Sequence, residues 1–235
     1  MKPGDVLAVI PARAGSKRLP RKNVMPLDGK PMLAYTIEAA LRCVWLGGVY
    51  VSSEDADVLR LAADLGASVI ERPSELAADE VQNTQVVRHA IEALAARGER
   101  FGHVVLLQPT SPLRTARHLD ACLAAYLRSE ARSTMSVCAA QCHPRAMVVV
   151  RNGFAEPYEP GADLDLRTDR LAPTFQPNGA IHALATGTFL SQSRFVVAPC
   201  LPYHMSREES VDVDTEFDLA LAEAMLQSHR RGARG

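Results

Sequence analysis

Short apolar runs recur along this chain, and most are followed by a segment whose apolar residues return at helical spacing. That alternation constrains the fold more than any other feature. Parallel strands cannot be joined by tight turns, so a helix has to cross over between them. The expectation is an α/β fold of three layers, with a mostly parallel, Rossmann-like sheet and helices on both faces. Residues 6–10, 48–53, 68–71 and 104–108 read as strands, the last being the most apolar and therefore central. Helices are predicted over 31–41, with Pro31 in the first turn, over 54–65 with Gly66 as the stop, and over 83–96 and 116–128. Residues 134–140, 147–151, 180–185 and 195–198 read as further strands, and 215–228 as a closing helix. Residues 11–30 read as one long loop. Residues 152–175 show no periodicity, and a loop that long is usually functional or covered by a partner. The 235 residues are expected to form one domain with a small appended element, leaving no room for a second fused catalytic domain.

Composition excludes more than it assigns. Lys plus Arg (26) nearly balances Asp plus Glu (27), so net charge points to neither nucleic acid nor a membrane surface. The longest apolar runs are far too short to span a bilayer. The first residues carry neither the apolar region nor the cleavage site of a secretory signal, so a cytoplasmic protein is expected. The five cysteines are scattered and never form a Cys-x-x-Cys pair, which fits reduced thiols better than a disulfide framework or a zinc site.

The strongest local signal follows the first strand: Pro11-Ala12-Arg13-Ala14-Gly15-Ser16-Lys17-Arg18-Leu19-Pro20-Arg21-Lys22-Asn23. All four lysines of the chain lie within its first thirty residues, and no acid interrupts the segment between Asp5 and Asp28. Gly15 allows close backbone approach. The carboxyl end of a first parallel strand is where open α/β sheets bind ligands. Several cations with free N–H groups suit a polyphosphate. The segment is neither a P-loop nor a Gly-x-Gly-x-x-Gly turn, and without interleaved aromatics it is a poor nucleic-acid patch; a solvated basic loop is the plain alternative.

A second signal is Val211-Asp212-Val213-Asp214-Thr215-Glu216-Phe217-Asp218. In an extended segment Asp212 and Asp214 share one face, where two carboxylates can hold Mg2+ together with triphosphate oxygens and water. Helix capping, with Asp214 as the N-cap, is the competing reading. A third is Gln108-Pro109-Thr110-Ser111-Pro112-Leu113-Arg114, which puts an amide, hydroxyls and a guanidinium where the apolar strand ends. The turn Pro177-Asn178-Gly179-Ala180-Ile181 is by itself an ordinary turn signal.

Taken together, in this order and over nearly the whole chain, these segments resemble the acylneuraminate cytidylyltransferases, also called CMP-sialic acid synthetases. Arg72-Pro73 with Glu75-Leu76-Ala77, and Glu209-Ser210 before the acidic motif, extend the likeness. The resemblance implies a nucleotidyltransferase fold, CTP and an acidic nine-carbon sugar as substrates, Mg2+, and a homodimer in which residues 140–175 form the dimerisation extension. It implies that Arg13, Ala14, Gly15, Ser16, Lys17, Lys22 and Asn23 meet the CTP phosphates, that Arg72 and Asn83 lie near cytosine and ribose, and that Asp212 and Asp214 bind the metal. Arg13, Lys22, Asp212 and Asp214 are then the catalytic set. For the sugar it implies Gln108, Thr110, Ser111, Asn178, His182 and Phe195, with Arg145, Arg167 or Arg170 meeting the carboxylate. Relatives usually carry an aromatic residue where His182 stands, and Val196 follows Phe195 where a second aromatic is common. Legionaminate, another bacterial nonulosonate or 3-deoxy-manno-octulosonate therefore stand beside N-acetylneuraminate. A non-catalytic regulator that binds CTP or a sugar nucleotide is the alternative of a different class.

Overall fold

Val6, Ala8 and Ile10 face one side of the first strand, β1 (Val6–Pro11), and Leu7 and Val9 face the other; all five are at most 1% exposed. A strand buried on both faces needs a helical layer on each, and the crossovers supply both. The computed structural model describes residues 4–15, 18–167 and 171–232. After β1 come a small hairpin, β2 (Pro26–Leu27) and β3 (Lys30–Pro31), then α1 (Met32–Leu41), β4 (Leu46–Ser53), α2 (Ala56–Asp64), β5 (Ser68–Glu71), α3 (Asn83–Ala96) and β6 (His103–Leu106). The chain continues through α4 (Ala116–Arg128), β7 (Ser133–Ala139), β8 (Val148–Arg151), β9 (Phe154–Pro157), β10 (Phe175–Ala185), α5 (Thr186–Gln192), β11 (Cys200–His204) and α6 (Glu216–Gly232).

The main sheet has seven strands in the order β11-β7-β10-β6-β1-β4-β5. Every pairing is parallel except the two made by β10, which runs against β6 and β7. Helices α1, α2 and α4 pack on one face through Leu33, Ile37, Val58, Ala62, Leu119 and Leu123. Helices α3 and α5 cover the other through Val87, Ile91, Leu94 and Phe189. From β1 the next strands, β4 and β5, add on one side, whereas β6 adds on the other. The crevice beyond the carboxyl ends of β1 and β6 is thus the topological switch point, where such sheets take ligands. A third cluster matters for that crevice: Leu19 of the basic segment and Val211 and Val213 of the acidic motif share a small core with Leu27, Met32, Leu113 and Ala222.

The predicted strand at 104–108 is the fourth of the seven, at the centre as expected. Other expectations are corrected. Residues 11–30 are not one loop, since they contain a 3-10 turn (Lys22–Val24) and the β2–β3 hairpin, stabilised where Leu27 is buried. Residues 154–157 form a strand, paired only with β8. Residues 195–198 are not a strand: Val197 N–H and C=O are both bound by Ser133 Oγ, at 2.9 Å each, and the edge strand starts at Cys200. Helix α5 follows β10 directly, a short element with little periodicity to announce it. All five cysteines are free, and no helix among the described residues is long and apolar enough to cross a membrane.

Leu106 is 2% exposed in the central strand. Leu106→Ala is expected to lower the unfolding free energy by about 2–5 kcal/mol, read from the midpoint of urea denaturation.

Candidate active site

The cavity at the switch point has a volume of about 490 Å³ and is walled by the ends of β1 and β6, the segment after β5, the start of α3, and the acidic motif. Nine predicted site residues stand on it: Arg13, Lys22, Asn23, Arg72, Asn83, Gln108, Thr110, Asp212 and Asp214.

The acidic motif is placed by its valines. Val213 is fully buried and Val211 9% exposed, so the alternating aspartates turn the other way, toward the cavity. Val213 N donates to Thr110 O at 2.8 Å, which fastens the motif to the turn after β6. The capping alternative is settled locally. Thr215 and Asp218 form the box at the start of α6: Asp218 N donates to Thr215 Oγ1 at 3.3 Å, and Thr215 N to Asp218 Oδ2 at 2.8 Å. The Asp214 side chain is thereby free of the cap. Its carboxylate takes Lys22 Nζ at 2.8 Å and Arg18 Nη2 at 3.0 Å instead.

Three more contacts give the basic segment its shape. Asn23 Nδ2 donates to Arg13 O at 2.8 Å, closing the segment on itself. Arg13 Nη1 meets Asp79 Oδ1 at 2.7 Å, across from the segment after β5. Glu54, just beyond β4, accepts Ala14 N at 2.9 Å on one oxygen and Arg72 Nε and Nη2 at 3.1 and 2.8 Å on the other. Glu54, Asp79 and Arg18 were not among the predicted site residues. The position of Glu54 at the carboxyl end of a parallel strand was a legible signal; Asp79, in a polar stretch without periodicity, offered none.

Asp212 is open to the cavity. Protein packed around its carboxyl on the other sides, with the Asp214 charge nearby, pushes its pKa above the usual carboxylate range; the Thr110 hydroxyl and Lys22 pull it down without cancelling the rise.

The remaining predicted residues lie off this cavity wall. Ala14 contributes its N–H to Glu54, and Gly15 is beside it. Ser111 is 1% exposed with no hydrogen-bond partner for its hydroxyl. Asn178 is turned inward: Oδ1 accepts from Ser136 Oγ at 2.5 Å and Nδ2 donates to Ser210 Oγ at 2.9 Å. His182 lies beside Phe195, ring centres 6.0 Å apart; burial lowers its pKa, which leaves the imidazole neutral at pH 7. Arg145 faces Glu159 at 3.7 Å, and Arg167 is exposed. Ser16, Lys17 and Arg170 lie outside the described residues.

A switch-point cleft of this kind on a mostly parallel sheet with one reversed strand is a nucleotidyltransferase-like fold. The chain belongs to the cytidylyltransferase family, which it matches over residues 7–180. It is 33% identical over 221 residues to the N-acylneuraminate cytidylyltransferase of Streptococcus agalactiae serotype V, covering 93% of this chain and 52% of the relative. It thus spans about half the length of that relative. It is also 33% identical over 229 residues to the CMP-N,N'-diacetyllegionaminic acid synthase of Legionella pneumophila, covering 94% of this chain and 96% of the relative. Among solved structures, a CMP:2-keto-3-deoxy-manno-octonic acid synthetase complexed with CTP superposes with a TM-score of 0.71 at 19% identity, over 95% of this chain and 99% of that one. At that identity the likeness is one of fold.

The Asp212 shift has a sign that can be tested in the unliganded protein. The folded state holds this proton more tightly than the unfolded chain does, so stability falls as pH rises through the folded pKa. Asp212→Asn is therefore expected to raise the melting temperature at pH 7. The gain should fade once the pH drops below the unfolded carboxylate value of about 3.9, as followed by thermal melts across pH.

Proposed function

We propose that this chain is a cytidylyltransferase that joins CTP to a nonulosonic acid, N-acylneuraminate in the first instance, and releases pyrophosphate. The observation that carries the reading is the cavity itself, where the basic segment after β1 confronts the Asp212–Asp214 pair across a cleft at the switch point. In this reading Arg13, Lys22 and Asn23 hold the triphosphate. Arg72 and Asn83 border the cytidine, and Gln108, Thr110 and Ser111 mark the sugar end, toward the region of Asn178, His182 and Phe195. The anomeric hydroxyl attacks the α-phosphorus in line with departing pyrophosphate, and catalysis is mainly positioning and charge neutralisation. Asp212 is the better placed proton acceptor of the pair: its carboxyl is lifted in pKa and open to the cavity, while that of Asp214 is engaged by Lys22 and Arg18.

The donor set fits Mg2+. Two carboxylates on one side of an extended segment repel each other, which adds to the burial that raises the Asp212 pKa, and the described residues of the cavity wall include no His or Cys. No cluster of three His, Cys, Asp or Glu residues poised to hold a metal occurs among the described residues, so phosphate oxygens and water would complete the octahedron. The ion would supply charge neutralisation for the triphosphate.

The sugar is the finer question. Identity to the N-acylneuraminate and the legionaminate relatives is equal at 33%, and two pseudaminic acid cytidylyltransferases of Campylobacter jejuni match at 26–27%. Legionaminate is therefore the second reading. Pyrophosphate release from CTP with Mg2+ across N-acetylneuraminate, legionaminate, pseudaminate and 3-deoxy-manno-octulosonate is expected to show turnover with one nonulosonate. Asp212→Ala should reduce kcat by roughly a hundredfold or more, the scale of other electrostatic knock-outs. Tight CTP binding with no turnover on any of the four would favour a regulator.

We also propose that residues 140–175 form a dimerisation extension. The β8–β9 hairpin pairs with no strand of the main sheet, and it exposes Val150 and Phe154, each 74% accessible, beside Met147, Val148 and Tyr158. Light scattering is expected to give twice the 25.5 kDa chain mass, and a Val150→Glu, Phe154→Glu double variant should shift it to monomer. A wild type that stays monomeric at micromolar concentration would refute the extension's role.

A further inference from the structure

Arg114 belongs to the motif after β6, yet it does not reach the cavity. It is 2% exposed, among the largest side chains buried so completely in the described residues. Its Nη1 donates to two main-chain carbonyls, Gln108 O at 3.1 Å and Ala180 O at 2.9 Å. Its Nε and Nη2 have no hydrogen-bond partner, and no carboxylate pairs with it among the described residues. Burial alone draws its pKa down to about 9, so the group is still a cation at neutral pH.

The register explains why those two carbonyls need a bridge. β6 and β10 pair antiparallel, with His182 opposite Leu106 at the end of the shared ladder. Two residues further along β6 is Gln108, and two residues back along β10 is Ala180, so an uninterrupted ladder would set them opposite each other. The ladder stops instead. On its other side β10 goes from Pro177 opposite Val137 to His182 opposite Met135, so residues 178–181 together face Ser136. Gly179 adopts φ +74° in this bulge, and a Cβ there would lie 2.9 Å from Gln108 Oε1. The Gln108 amide therefore rests against the bulge, and Arg114 ties the two lips together from beneath.

A fully buried guanidinium with no counter-ion among the described residues and most of its donors idle is a destabilising choice, and an apolar side chain of similar length would fill the space with less penalty. We infer that Arg114 is a positioning residue for sugar recognition, its bridge between Gln108 O and Ala180 O setting where the Gln108 amide stands relative to the 178–181 bulge. The inference rests on the cytidylyltransferase reading above and adds a residue that never touches substrate. Its effect falls on one end of the cleft, because the phosphate end is held by other contacts: Asn23 to Arg13 O, Glu54 to Ala14 N and Arg72, and Asp214 to Lys22.

The test compares wild type, Arg114→Met and Arg114→Lys for the KM of each substrate and for melting temperature. Arg114→Met is expected to melt at or above the wild-type temperature while the KM for the sugar acid rises roughly tenfold or more. The KM for CTP should stay within about twofold, the scale of an interaction left intact. Arg114→Lys keeps a cation with several donors and should recover part of the sugar KM. If Arg114→Met fails to fold, Arg114→Lys decides the matter by the same selectivity for sugar over CTP. Equal losses for both substrates, or none in a folded variant, would make Arg114 a plain core residue and overturn the inference while leaving wild-type turnover intact. Absence of wild-type turnover on every sugar acid would remove the functional reading and this inference together.

Discussion

One carboxylate ties together the ends of three parallel strands. Glu54 sits just past β4, binds the backbone of the segment after β1 through Ala14 N, and holds Arg72 just past β5 through both Nε and Nη2. The Arg72 side chain is 2% exposed and that of Glu54 17%, so neither charge has water to fall back on if the other is lost. Each end on its own would be a chain leaving a strand, free to take many conformations. Joined through Glu54, they form one wall, and Arg13, Arg72 and the segment 76–83 acquire fixed relative positions on it. This half of the cleft is held together through that contact.

The opposite wall is set by packing. Leu19, Val211 and Val213 share a small core beneath α6, and burying them forces the polar residues between them outward. Lys22 and Asp214 meet at 2.8 Å because the valines and the leucine beside them have nowhere else to go. The capping box of Thr215 and Asp218 completes the arrangement by satisfying N–H groups at the start of α6 without the Asp214 carboxylate. Hydrophobic burial thus places charges that it does not itself touch.

Much of this was legible in the residues. The order of strands and helices followed from periodicity, and helices 83–96 and 116–128 begin and end where the pattern says. Residues of the basic segment, Arg72, Gln108, Thr110 and residues of the acidic motif border one cavity, whereas the turn at 177–181 lies off it. What the sequence hid was of two kinds. Residues 154–157 and 186–192 are too short and mixed for period to separate strand from helix from loop, and residues 195–198 have strand-like composition but are drawn off by a single serine hydroxyl. The second kind is direction. Asn178 and Arg114 are polar residues in motifs beside the cleft, and composition suggests they face a ligand. Both are buried and bind the protein instead, Asn178 to Ser136 and Ser210, Arg114 to two carbonyls. A polar residue in a motif carries no label saying which way it points; only the register of β10, with four residues facing one, decides it.

The ion pairs at the cleft differ in a way that suits the proposed reaction. Arg13 and Asp79 have side chains 38% and 39% exposed, Arg18 is 68% exposed against Asp214, and Arg72 and Glu54 are almost closed to water. Pairs open to solvent contribute about 0–1 kcal/mol, so a competing anion can replace Asp79 on Arg13 or Asp214 on Arg18 at little loss. The closed pair resists exchange, because separating it leaves a charge stranded in protein. The cleft is therefore neutralised in two layers. A fixed inner pair joins the strand ends into one wall, and an outer set of acids keeps the cations of the cleft positioned, with less mutual repulsion, until a stronger anion arrives. That arrangement lets a dense group of cations persist in a ligand-free cleft.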